Sequence, residues 1–177
     1  MTTFTIGIVG HRYITAGSME FFVREACLDI LAGARRRYPN LAALSALAAG
    51  ADTIFAQTAL SLQIPLHVIR PFDEYAHDFA TEEALHTYEK LTAAAASETK
   101  LPFEKRSVEA YYAAMRKVVD GSDLLLAVWD GQEGKGKGGT SDAISHVRET
   151  KGDWIHLDLR AATKHHYCKN YVYAGTA

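Results

Sequence analysis

The chain has 177 residues, 48% hydrophobic and 23% charged. That length and apolar content suit a single domain able to bury a core without disulfide or metal support, and they exclude a disordered chain. Nineteen Lys and Arg against 21 Asp and Glu leave a formal net charge of −2, which lacks the basic excess of a typical DNA binder and sets nucleic acid aside as an expected partner.

No apolar run reaches the roughly 18 residues of a membrane span. Met1-Thr-Thr-Phe-Thr has no basic flank of the kind that opens a signal peptide. Only Cys27 and Cys168 are present, without CxxC spacing, so a reduced, cytoplasmic chain is expected.

The elements alternate along the chain. Phe4 to Val9 is short, β-branched and apolar, as in a strand buried on both faces, and it ends at Gly10-His11-Arg12. From Ser18 to about Tyr38 apolar residues recur at three and four, with Ser18 as the expected N-cap, Arg35-Arg36-Arg37 in the last turn and Pro39 as the stop. Leu41 to Ala48 reads as a second strand. Gly50-Ala51-Asp52 opens a helix to about Leu62, and Pro65 to Arg70 is a third strand. Helices are predicted over 81–97, with Thr81 as N-cap, and over 105–120, with a weak stretch around 97–103 between them. Asp123 to Trp129 is the clearest buried strand. A glycine-rich loop, 130–139, leads into a helix from Thr140 to about Lys151, and Trp154 to Asp158 forms a fifth strand. Residues 159–177 show no pattern and read as an irregular tail.

Strand and helix in alternation predict an α/β fold: an open parallel sheet of about five strands, order 3-2-1-4-5, with helices on both faces. Such sheets bind ligands beyond the carboxyl ends of the strands, where strand order reverses. Gly10, His11 and Arg12 after the first strand and Asp130 to Asp142 after the fourth would then face each other, with Gly50 and Asp52 alongside and Arg70 reaching in from the third strand.

The loop holds five glycines between Gly131 and Gly139. Successive amides at Gly138, Gly139 and Thr140, at a helix N-terminus, suit a phosphate, with Lys135 and Lys137 near. The same composition also describes a solvated loop. Arg12 suits a bidentate grip on phosphate. His11 suits a donor to phosphate or sugar, and Asp52 and Asp130 suit acceptors for sugar or base. No Walker loop, GxGxxG fingerprint or GxSxG elbow is present. Neither a cofactor nor a metal is expected; His165-His166-Cys168 lacks zinc spacing. Tyr111, Tyr112, Tyr88 and Phe103 read as packing residues. The alanine-rich stretch from Thr92 to Ala96 would allow a second copy of the chain to pack closely.

Ile8-Val9-Gly10-His11-Arg12, Ala46 to Asp52, Arg70-Pro71-Phe72 with Glu74-Tyr75 and Asp78-Phe79, Ser122 to Gly131, and Gly138-Gly139-Thr140-Ser141-Asp142 fall in that order. Together they resemble the SLOG superfamily, Rossmann-like nucleotide-binding domains related to the Lonely-guy phosphoribohydrolases and to the DNA-processing protein family. The resemblance covers about 1–158. It implies a cytoplasmic domain that binds a nucleotide or nucleotide-derived signal at the glycine-rich switch point, as bacterial sensor modules do.

The enzymes of that group carry Pro-Gly-Gly-x-Gly-Thr-x-x-Glu, with a catalytic glutamate three residues after the threonine. Here Gly136-Lys137-Gly138 stands at the start, and Ala143 stands at the glutamate position. A methyl group can neither attack an anomeric carbon nor stabilise an oxocarbenium ion. Asp142 is one residue early, turned about 100° on a helix. A non-catalytic binding module is therefore the first reading. An N-glycosidase or deoxyribosyltransferase-like enzyme using Asp142 or Asp130 is the second, and a DNA-handling protein the third.

Overall fold

The computed structural model describes residues 2–133 and 137–169. Five central strands run parallel because their near-continuous apolar runs need cover on both faces, which helical crossovers supply. β1 (Phe4–Gly10) pairs with β2 (Leu41–Ser45) on one side and with β5 (Leu124–Trp129) on the other; β3 (Leu66–Arg70) extends the first side, β6 (Asp153–Asp158) the second. This is the expected 3-2-1-4-5 order, with strand order reversing between β1 and β5.

Helices α1 (Ser18–Arg37), α2 (Ala51–Ser61) and α3 (Glu82–Ala93) follow β1, β2 and β3; α4 (Val108–Asp120) and α5 (Thr140–Glu149) precede β5 and β6. Two buried clusters reflect the two faces. One joins Ile6 and Ile8 to Val23, Ile30 and Phe55 of α1 and α2; the other joins Val9, Leu125 and Ala127 to Met115, Val118 and Ile144 of α4 and α5.

Among the described residues the sheet has seven strands rather than about five, one further strand lying at each edge. β4 (Ser97–Lys100) adds a parallel edge on β3, from the weak stretch, and β7 (Thr163–Tyr167) adds an antiparallel edge on β6, inside the expected irregular tail. Both are edge strands of mostly exposed polar residues, so no apolar alternation marks them. β7 is fixed instead by a cross-strand stack of Tyr167 on Trp154, ring centroids 4.3 Å apart. The rest of the tail, 170–177, lies outside the described residues.

Smaller departures have local causes. α1 starts from Gly17, with no side-chain cap from Ser18. α3 ends at Ala93, so the alanine-rich stretch straddles the helix end. Thr81 and Ser107 cap α3 and α4 by accepting the Ala84 and Ala110 N–H groups at 3.1 and 3.0 Å. β2 stops at Ser45, which releases Ala46 to Ala48 as a loop at the carboxyl edge of the sheet. Among the described residues no helix is long and apolar enough to cross a membrane.

Candidate functional site

At the reversal point β1 leaves the sheet through Gly10. A side chain there would lie 2.6 Å from Ala51 Cβ and 2.8 Å from Val128 Cβ, so only glycine lets β1 nest between α2 and β5. The Ala51 N–H then donates to the His11 carbonyl at 3.1 Å. Gly50 sits at φ +83, where a Cβ would fall 2.4 Å from the Arg12 carbonyl oxygen. Gly50 thus holds the start of α2 against the loop that carries His11 and Arg12, and it does not line the central cavity.

That cavity, about 430 Å³, lies beyond the ends of β1 and β5 and falls in the usual range for small-molecule sites. Its wall is apolar: Ile8 and Val9 from β1, and Ala114, Met115 and Val118 from α4. Gly10, His11, Arg12, Asp52, Asp130, Gly138, Gly139 and Thr140 all line it, so the structure brings eight of the eleven expected ligand-binding residues around one space. Gly131 does not line it; its backbone lies against the Arg160 guanidinium. Arg70 also points elsewhere, 3.5 Å from Glu98 of the edge strand β4. Exposed Lys137 is not in the lining, and Lys135 lies outside the described residues.

Arg12 is oriented by residues outside the expected ligand-binding set. Its Nη1 lies 3.3 Å from Asp78 Oδ2, and its guanidinium sits 5.0 Å from the Tyr111 ring centroid. The Asp78 side chain is only 6% exposed, accepts the Tyr111 hydroxyl, and has Arg106 Nε at 3.8 Å. Burial alone would lower the Arg12 pKa, but Tyr75, Tyr111 and Asp78 together hold it raised. Tyr111, expected only to pack, and Tyr75 both line the cavity. Asp78 stands in the motif set quoted above, yet only the 3₁₀ turn at 75–78 reveals that it anchors Arg12. For Tyr111 the available signal was its place one turn before Ala114 and Met115 and two before Val118, on the cavity face of α4.

Asp52 and Asp130, two of the three carboxyl groups in the lining, differ sharply. Asp52 is buried and accepts the Ser45 hydroxyl at 2.8 Å. Burial pushes its pKa up to about 6, against the opposing pull of Ser45, the Ala46 and Ala48 backbone and Arg12. Asp130 lies at the rim, its Oδ1 3.2 Å from His11 Nε2 and 3.0 Å from the Gln132 N–H. Its slight burial pushes the pKa up, but these partners outweigh that and hold it below the ordinary value.

Gly138 adopts φ +87, and a Cβ there would lie 2.9 Å from the Tyr112 backbone nitrogen. The loop therefore presses on α4, which sets the first turn of α5 at the cavity mouth, with Thr140 and Ser141 in the lining. The Gly138 N–H already has an anion: it donates to Asp142 Oδ2 at 2.6 Å. Asp142, a candidate catalytic residue, thus turns back to brace the loop, while Ala143 is fully buried. Among the described residues no cluster of three or more metal-binding side chains occurs. His165 and His166 alternate on strand β7 and so face opposite sides of the sheet.

No protein-family model matches the chain, and no curated protein is detectably similar to it in sequence. Solved structures are similar in fold. DNA processing protein A from Streptococcus pneumoniae superposes with a TM-score of 0.61 at 15% identity, over 87% of this chain and 50% of that one. DNA processing protein A from Helicobacter pylori, described for its single-stranded DNA binding mode, gives 0.59 at 16%, over 88% and 65%. The molybdenum cofactor carrier protein from Chlamydomonas reinhardtii gives 0.55 at 13%, over 88% and 76%. The chain spans half to two thirds of the length of the two DNA processing proteins. These likenesses show the fold, a Rossmann-like α/β fold.

They also correct one expectation. A net charge of −2 argues against nucleic acid, yet a protein of similar fold is described as binding single-stranded DNA. Single strands are held by local grooves and ring stacking, which overall charge does not report.

Proposed function

We propose, from the Rossmann-like fold, the resemblance of the sequence to SLOG domains and the cavity at the strand reversal, that the chain binds a nucleotide there and holds it without cleaving it. The observation that carries this reading is the convergence of Arg12, Asp130 and the first turn of α5 on one cavity with an apolar wall. Arg12 and the Thr140 amide take the phosphate, which the positive end of the α5 dipole favours at the cavity mouth. Asp130 and His11 take sugar hydroxyls; Met115 and Val118 take the base. Binding without turnover follows from Ala143 at the position where related enzymes carry glutamate, and from the engagement of Asp142 with Gly138. A sensing role in the cytoplasm fits such a module.

A crystal soaked with AMP, ADP-ribose and a cyclic dinucleotide tests the reading. It predicts ligand density between Arg12 and Thr140. An empty cavity, or ligand bound only elsewhere, overturns it. The same mixture analysed by chromatography should show no free base; released base that is lost in Asp130→Ala would favour the N-glycosidase reading, because Asp130 lines the cavity while Asp142 braces the loop.

A further inference from the structure

We infer that a second nucleoside site lies beside the first, and that the two together take a dinucleotide unit with its single phosphodiester on Arg12. This rests on the nucleotide reading above and names its ligand class. A second cavity, about 470 Å³, lies between α1, α2 and the start of α3, and Arg12 lines both. The wall between them includes the 3₁₀ turn that anchors Arg12 through Asp78: Tyr75 at one end of the turn lines the first cavity, and Phe79 just past its other end lines the second.

The chemistry of the second cavity suits a base more than a phosphate. Arg24 donates to Glu20 Oε1 at 3.0 Å and to Gln57 Oε1 at 3.4 Å, so its charge is offset within the cavity. With its oxygen thus occupied, the Gln57 side chain keeps its NH₂ to donate, and an amide beside a guanidinium presents the flat, in-plane groups that read a base edge. Tyr13, 92% exposed, offers a ring face for stacking, and Phe79, itself stacked on Tyr88 at 4.5 Å, adds an aromatic wall. Arg12 is the cation that lines both cavities, held in place by Asp78 at 3.3 Å from outside either lining. One anion flanked by two neutral ring systems is the charge pattern of a dinucleoside monophosphate. A nucleoside triphosphate would instead set extra anions against Asp130 and Glu133 at the rim.

Calorimetric titration of the full chain tests this. The probes are nucleoside monophosphates, the matching dinucleoside monophosphates and single strands of eight nucleotides, in ribo and deoxy form, for each common base. At least one dinucleoside monophosphate should bind tenfold or more tighter than its monophosphate. Gln57→Ala should abolish that gain while leaving the monophosphate within about twofold. An equal affinity of the two, or a gain that survives both Gln57→Ala and Arg24→Ala, overturns the inference alone. Absence of any binding overturns the nucleotide reading together with it. An octamer matching the dinucleotide supports a free dinucleotide as ligand; a tighter octamer supports a single strand.

Discussion

Asp52 is a buried carboxyl group held well above its ordinary range. Its pKa is pushed up to about 6, so the folded chain keeps a proton that the unfolded chain has already released at lower pH. Stability contributed by the neutral form is therefore lost as pH rises from about 4 to about 6, and the ionised group costs about 3 kcal/mol above that window. Asp52→Asn keeps an acceptor for Ser45 and removes the charge. Urea unfolding should show the variant more stable at pH 7.5 by about 2–3 kcal/mol and equal to the parent at pH 4. A gain of the same size at both pH values would show that burial of the charge is not the cause.

Asp142 makes a second argument at this scale. Its carboxylate holds the Gly138 N–H, so the chain supplies its own anion to part of the glycine loop. Asp142→Asn retains the bond through the amide oxygen but removes a charge near the helix N-terminus, a difference of about 0.3–1 kcal/mol. Titration should find inorganic phosphate bound roughly two- to fivefold more tightly by the variant. Unchanged or weaker binding would place the phosphate away from α5.

At the scale of elements, the glycine loop and α4 act as one unit. Gly138→Ala forces a Cβ to within 2.9 Å of the Tyr112 nitrogen in a left-handed backbone, at a cost of about 1–2 kcal/mol from the conformation alone. Chemical unfolding should register at least that loss, and ligand affinity should fall with it because α5 shifts at the cavity mouth. A variant with parent stability would show that the loop does not lean on α4.

The central strands were legible because burial on both faces writes itself as a continuous apolar run, as in Leu124 to Trp129. β4 and β7 were not, because an edge strand answers to its neighbour's backbone rather than to the core. The loop glycines pointed to the cavity as composition, but the orientation of Arg12 depends on Asp78, Tyr111 and Arg106, which lie 66 or more positions away. Contacts of that range leave no local pattern.

For the whole molecule, one sheet carries helices on both faces and leaves its cavity where strand order reverses, so the site is a product of topology. Eight of the expected residues, drawn from four separated segments, meet there only because β1 and β5 are neighbours. Overall charge misled for the same reason: a site at one crevice is governed by a handful of groups, not by the sum over the surface. A ligand that binds only the folded chain must also stabilise it, so nucleotide at a hundred times its dissociation constant should add about 2.7 kcal/mol to unfolding in urea, and no change would mean that nothing binds.

Calorimetric titration of nucleoside monophosphate into the parent and into Arg12→Ala tests the central claim most directly. The cavity account predicts sub-millimolar binding by the parent and a loss of about tenfold or more in the variant, the scale of a charged hydrogen bond. Equal affinity in the two proteins, or no heat from folded parent at millimolar ligand, would contradict it.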